Sequence, residues 1–160
     1  MKKLMVLLVV LVSGLGYSQK PTDTIPSTNI NSNLMNQCVI DEVNKERKKL
    51  GLHPFIVTEG TMKFSKEHTE WMVETGKFEH SKNYTYGECI TKTNFRNGES
   101  YEGAAKRIVT SWMNSPPHRK VLMSRDYVEC GSHTIFRFES TEWLGGISKK
   151  WYSTSSFVIK

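Results

Sequence analysis

The chain opens with a sharp change in patterning. Lys2 and Lys3 precede an almost unbroken apolar run from Leu4 to Leu15. That run falls short of the about 20 apolar residues that a membrane-spanning helix needs. Its basic start, and the small residues Gly16 and Ser18 behind it, predict a signal peptide over residues 1–18, cleaved after Ser18. Gln19 to Asn33 is then rich in Pro, Ser, Thr and Asn and has no apolar period. Such a stretch buries too little surface to offset its ordering entropy, which predicts a flexible linker over residues 19–33. Residues 34–160 are long enough for one hydrophobic core and too short for two.

Within that domain the period is first helical. Met35, Val39 and Val43 recur every fourth residue and Leu50 closes the run, with Ser32 or Asn33 as cap and Gly51 and Pro54 as stop signals. Thr58 caps a second helix that reaches about Thr75 and ends at Gly76. Met62, Ser65, Thr69, Met72 and Val73 form its main stripe, while Phe64 and Trp71 lie on another side, so two faces should make contacts. Phe78 to Asn97 reads as turn-rich. A third helix starts near Ser100 and carries Ala104, Ala105, Ile108, Val109 and Trp112. Pro116 ends it near Ser115, and Ser115-Pro116 then reads as the cap and first position of a short helix to Ser124. The tail switches to a period of two: Val128, Cys130, Thr134, Phe136 and Phe138, then Trp143 to Ile147 and Tyr152 to Ile159. Helices followed by antiparallel strands predict an α+β domain with helices packed on a sheet.

Charge narrows the functional classes only slightly. The formal net charge is +6, and loss of Lys2 and Lys3 takes the 22 basic side chains to 20 against 16 acidic ones. The basic residues are scattered without aromatic interleaving, so no nucleic-acid face is expected. Three cysteines remain: Cys38, Cys89 and Cys130. In an oxidising compartment two can pair, and Cys89–Cys130 is the preferred pair; three buried free thiols is the competing reading.

Three ordered motifs carry a resemblance. Phe78-Glu79-His80-Ser81, then Gly87-Glu88-Cys89-Ile90, then Trp112-Met113-Asn114-Ser115-Pro116-Pro117-His118-Arg119 resemble the signatures of the CAP superfamily, which groups cysteine-rich secretory, antigen-five and pathogenesis-related proteins. The chain is most similar to its bacterial SCP-like branch, with residues 34–160 as the CAP domain. The resemblance implies a three-layer α-β-α sandwich with a mainly antiparallel central sheet. It also implies a cleft lined by His80, Glu88 and His118, with Ser115 where other branches place a second acid. Cys89 stands where the family usually has Asn; with Ser115 in place of the second acid as well, the site counts three residues rather than four.

Two histidines and one carboxylate can hold a divalent cation such as zinc and leave a position open for water. His118, in the first turn of a helix, should favour the neutral imidazole that a metal ligand or a general base requires. Against this, no His-Glu-x-x-His spacing is present, and a polar hydrogen-bonded scaffold is the plainer reading. There is no Gly-x-Ser-x-Gly turn for a nucleophilic serine. His68 reads as a helix-boundary residue, and His53 and His133 have no recognisable partner. Asn83-Tyr84-Thr85 matches a glycosylation acceptor. The reading is therefore an exported protein, secreted or periplasmic, whose His/Glu cleft binds a ligand. The candidate ligands are a divalent cation, a lipid or sterol, an envelope component or another protein, with no membrane span in the mature chain. The alternatives are a hydrolase acting on peptide or cell-wall material through the same cleft, and a structural interaction module.

Overall fold

The computed structural model describes residues 20–26, 30–82, 86–95, 98–143 and 146–160; the signal-like run and the Asn83-Tyr84-Thr85 triplet lie outside them. Helix α1 (Ser32–Lys49) starts where the Asn31 side chain accepts the Leu34 amide at 3.0 Å, just ahead of the predicted caps. Helix α2 (Glu59–Thr75) is capped by Thr58 and stops at Gly76, whose φ of 70° is the left-handed region that glycine enters without strain. Helix α3 (Tyr101–Met113) is capped by Ser100, and α4 (Pro116–Leu122) follows Ser115 with proline in its first turn. The Ser115 side chain makes no capping hydrogen bond, although the residue occupies the predicted position.

Four strands, β1 (Ile56–Val57), β2 (Gly87–Asn94), β3 (Glu129–Trp143) and β4 (Gly146–Ile159), form one sheet in the order β1-β3-β4-β2. β3–β4 and β4–β2 are antiparallel, but β1 pairs parallel with β3, so the sheet is mixed rather than purely antiparallel. β2 corrects the turn-rich reading of residues 78–97. Its β-branched Ile90, Thr91 and Thr93 sit in a ladder with β4 that runs from Gly87↔Ile159 to Asn94↔Tyr152. The polar residues between them hid the strand, because this edge is only partly buried.

The layers follow from strand alternation. On one face α2 lies directly against β3 and β4. The hydroxyls of Thr61, Ser65 and Thr69 donate to the carbonyls of Cys130 (2.5 Å), Ser156 (2.8 Å) and His133 (3.3 Å). Gly131 faces this helix so closely that a Cβ there would overlap the Thr61 and Met62 backbone. On the opposite face, α1, α3 and α4 cover Cys89, Cys130, Phe157 and Ile159 with Met35, Val39, Val43, Ala104, Ile108, Trp112 and Leu122. Trp112 is fully buried, and its indole N–H donates to the Ile90 carbonyl at 3.2 Å. Arg47 is buried, and among the described residues no carboxylate pairs with it. Its guanidinium stacks on Phe55 at 3.6 Å and donates to the carbonyls of His53, Leu122 and Ser124 at 2.7–2.9 Å, so it ties α1 to the end of α4.

Two expectations are corrected here. The stretch expected to be a flexible linker is in part an ordered strap. Ile25 N donates to Glu99 O (2.9 Å), while the carbonyls of Asp23 and Pro21 accept the Tyr101 (3.4 Å) and Glu102 (2.9 Å) amides. The first amides of α3 have no partner inside their own helix, and the strap supplies one for two of them. Composition reports apolar burial and is blind to such backbone anchoring. The second correction concerns Cys89 and Cys130, which are not paired; all three cysteines are buried free thiols. Cys89 lies opposite Phe157 and Cys130 opposite Ile159, so β4 separates them. Two strand spacings, about 9.5 Å, exceed the about 7 Å between Cα atoms that a disulfide can bridge. Among the described residues no helix is long and apolar enough to cross a membrane.

Candidate functional site

Glu88 is the centre of the site. It projects from the edge strand β2 toward α2, and its side chain is only 6% exposed. Three hydrogen bonds reach its carboxylate, and His68 stands within ion-pair distance of it. His80 Nδ1 (3.0 Å) and the Ser81 amide (3.0 Å) approach Oε2, while the Ser156 hydroxyl (3.2 Å) and His68 Nε2 (3.4 Å) approach Oε1. The loop after α2 thus folds back on β2 because its backbone and His80 share one buried acceptor.

The donation to Oε2 selects the tautomer of a neutral His80. A neutral imidazole carries one N–H, so donation from Nδ1 leaves the lone pair on Nε2. The His80 side chain is 54% exposed. The His118 ring, from the first turn of α4, lies 6.1 Å away between centroids and is tilted by 50°. Burial, together with repulsion from a charged His80, holds His118 below its ordinary 6.5. The direction matches the expectation from its helix position; the leading cause is burial.

The four residues expected to line a cleft therefore divide. His80, Glu88 and His118 come together. Ser115 is close to His118 in the chain, and the structure assigns it no contact with the carboxylate. Neither a recess of about 1270 Å³ beside α4, bounded by Met113, Arg119, Arg125 and Tyr127, nor one of about 800 Å³ between α1 and the strap includes the two histidines and Glu88. Cys89 is completely buried; its thiol points to the His118 carbonyl at 3.9 Å, and burial pushes its pKa up. That thiol is not poised as a nucleophile.

Sequence reasoning passed over His68. It projects from α2 between Phe64 (6.5 Å, 20°) and Trp71 (5.5 Å, 14°), with both neighbouring rings stacked on it. Its side chain is 9% exposed, and Nε2 lies 3.1 Å from the Glu79 carbonyl as well as 3.4 Å from Glu88. The available signal was a titratable residue inside an aromatic stripe at positions 64, 68 and 71, the helical spacing of one face.

A three-ligand metal set does not fit these residues. Among the described residues no group of three or more His, Cys, Asp or Glu side chains is arranged to hold a metal ion. Glu88 is the reason: its lone pairs already receive three hydrogen bonds and face His68, which suits a carboxylate that orients a histidine better than one that ligates. The residues that fit an ion are His80 through Nε2 and His118, with Glu88 behind His80.

The sequence matches the cysteine-rich secretory protein family over residues 40–134, more than half of the chain. The chain belongs to the CAP family. The matched CAP span takes in His68, His80, Glu88, Ser115 and His118 and stops within β3. The uncharacterised protein YkwD of Bacillus subtilis is 26% identical over 119 residues, covering 69% of this chain and 46% of that protein, so this chain spans less than half of that relative. Two bacterial solved structures share the CAP fold at low identity. An extracellular SCP-domain protein of Bacillus anthracis is 19% identical with a TM-score of 0.53, over 81% of this chain and 41% of that one. A cysteine-rich secretory protein of Staphylococcus aureus is 18% identical with a TM-score of 0.52, over 84% and 41%. An outer surface protein of Borrelia burgdorferi aligns over 78% of this chain and 90% of that one, at 17% identity and a TM-score of 0.50.

Proposed function

We propose that this CAP-domain protein is exported and uses His80 and His118, backed by Glu88, to bind a divalent cation such as zinc. Export is supported by the signal-like N-terminus and by the extracellular and outer-surface character of two structural relatives. The observation that carries the binding reading is the 3.0 Å contact from His80 Nδ1 to Glu88. In the neutral ring it leaves the Nε2 lone pair open beside a second imidazole, 6.1 Å between ring centroids, whose charged form burial disfavours. Zinc–imidazole bonds of about 2.0–2.1 Å bring two rings at this separation within the span of one ion. When bound, the ion would supply Lewis acidity and hold water in its remaining positions. The protein's own contribution is orientation: Glu88 and the Ser81 amide hold the loop, and β2 and α4 hold the two rings.

Calorimetric titration of metal-free protein tests this reading. Zinc should bind near neutral pH with an affinity that falls as pH drops, because imidazoles must lose protons to ligate. His80→Ala and His118→Ala should each remove most of the heat, while His53→Ala leaves it intact. Equal zinc binding by the wild type and the double His80→Ala/His118→Ala variant would eliminate a shared ion at this place.

A further inference from the structure

Glu88 has two histidine neighbours, and only one of them reaches the surface. The inner one, His68, has a ring plane fixed by the flanking Phe64 and Trp71 rings. Two oxygens face the same nitrogen: Glu79 O at 3.1 Å and Glu88 Oε1 at 3.4 Å from Nε2. Glu79 O can only accept, so this nitrogen carries hydrogen; it donates to that carbonyl and stands within ion-pair distance of the carboxylate. The consequence reaches His80 from two sides. Glu79 is its chain neighbour, so His68 pins the loop to α2 just before His80. Glu88 is its hydrogen-bond acceptor, so His68 also fixes the carboxylate that selects the His80 tautomer.

We propose that His68 is a positioning residue for the exposed site. Its Nε2–H, bridging the Glu79 carbonyl and the Glu88 carboxylate, holds His80 as the Nδ1–H tautomer with Nε2 directed outward. His68 touches no bound ligand in this scheme and acts through Glu88 and the loop. Ser156 and the Ser81 amide complete the carboxylate's shell, so His68 is the neighbour that couples this shell to α2. The idea deepens the ligand-binding reading of His80 and His118 but rests on it only where ligand affinity is the readout.

Long-range nitrogen–proton spectra of the imidazoles, recorded at about pH 8 where ordinary histidines are neutral, report each tautomer directly. In the wild type, His68 should appear as the Nε2–H form and His80 as the Nδ1–H form. His68→Phe keeps a flat ring between Phe64 and Trp71 but removes the donor; His80 should then become a mixture of tautomers. Zinc affinity should fall by about 10-fold, the low end for loss of an outer-shell partner. His68→Gln, whose amide can donate from nearly the same place, should restore a single His80 tautomer and most of the affinity. A wild-type His68 found as the Nδ1–H form overturns the proposal without any variant, so a His68→Phe protein that fails to fold does not protect it. An unchanged His80 tautomer in folded His68→Phe overturns it as well. If the wild type binds no zinc while His80 still responds to His68, the ligand reading fails and the positioning role stands.

Discussion

The two faces of the sheet are built by opposite means. Toward α1, α3 and α4 the sheet presents Cys89, Phe157, Cys130 and Ile159, buried under Trp112, Ile108, Val39 and Met35. That face is held by removal of apolar area from water, about 25 cal/mol per Å². Hydroxyls enter it at Ser132, opposite Phe157, and farther along Thr134 and Ser155 meet at 2.9 Å. Toward α2 the helix brings a stripe of small polar residues, Thr61, Ser65 and Thr69, each buried to 0–1% exposure. Their hydroxyls bond sheet carbonyls, and Gly131 lets the helix backbone come close. Glu88, His68 and His80 lie on this second face, and His118 joins them from α4 of the other layer. A carboxylate such as Glu88 can be buried there because hydroxyls, amides and imidazoles supply the donors that an apolar face lacks. The difference teaches that the apolar side carries the stability and the polar side carries the chemistry.

Truncation on the apolar side should therefore have the largest effect. Trp112→Ala removes a fully buried indole and leaves the Ile90 carbonyl without its donor. The expected cost is about 3–5 kcal/mol, read from urea unfolding. A loss under about 1 kcal/mol would mean that this face is not the core that its burial describes.

On the polar side, enlargement should hurt more than truncation. Gly131→Ala puts a methyl into the Thr61 backbone, and α2 has to move. The expected loss is about 3 kcal/mol, the upper end of ordinary overpacking. Gly60→Ala, in the same helix with nothing within 4 Å, is the control and should be neutral or stabilising. Ser65→Ala deletes one hydroxyl bond, Thr69→Val the contacts to the Ser65 and His133 carbonyls, and each should cost about 1 kcal/mol. Similar losses for Gly131→Ala and Gly60→Ala would break the comparison.

Acid should act on two half-buried histidines, one on each helical layer. His118, beside His80, and His133, near Glu70 and Lys66, are both held below their ordinary 6.5, chiefly by burial. A depressed folded value means that the unfolded chain takes up the proton first. The neutral forms therefore contribute fully above about pH 6.5, and their contribution is lost as pH falls through the lower folded values. Urea midpoints should be flat from pH 7 to 8 and fall below 6.5. His133→Gln should flatten part of that fall; an unchanged slope would remove His133 from the account.

Much of the frame was legible in the chain, and the exceptions share a cause. Thr58, Gly76, Ser100 and Ser115-Pro116 marked helix ends because capping is a local event between residues three or four apart. The three motifs pointed to His80, Glu88 and His118 through their resemblance to the CAP signatures. β1 escaped notice because two residues carry no period, and β2 because its partner β4 is some sixty positions away. The strap and His68 were missed for a related reason. Their roles come from acceptors far away in the chain, the α3 amides and Glu88, and no periodicity within a helix or linker reports those.

The smallest expected effect is none at all, and it concerns the cysteines. A Cys89–Cys130 bond would have stabilised the domain by about 3–4 kcal/mol in the chain-entropy view, so reductant would lower the melting temperature. The ladder forbids it: β4 runs between the two residues, and their partners Phe157 and Ile159 are offset along that strand. Burial also disfavours the thiolates that oxidation would need, raising Cys130 to about 12 and Cys38 to about 11 and pushing Cys89 up further. The melting temperature should therefore be the same with and without dithiothreitol. Native protein purified without reductant should resist iodoacetamide, and alkylation in urea should then label three thiols per chain. A count of one thiol in urea would show a disulfide and would require the sheet order around β4 to be redrawn.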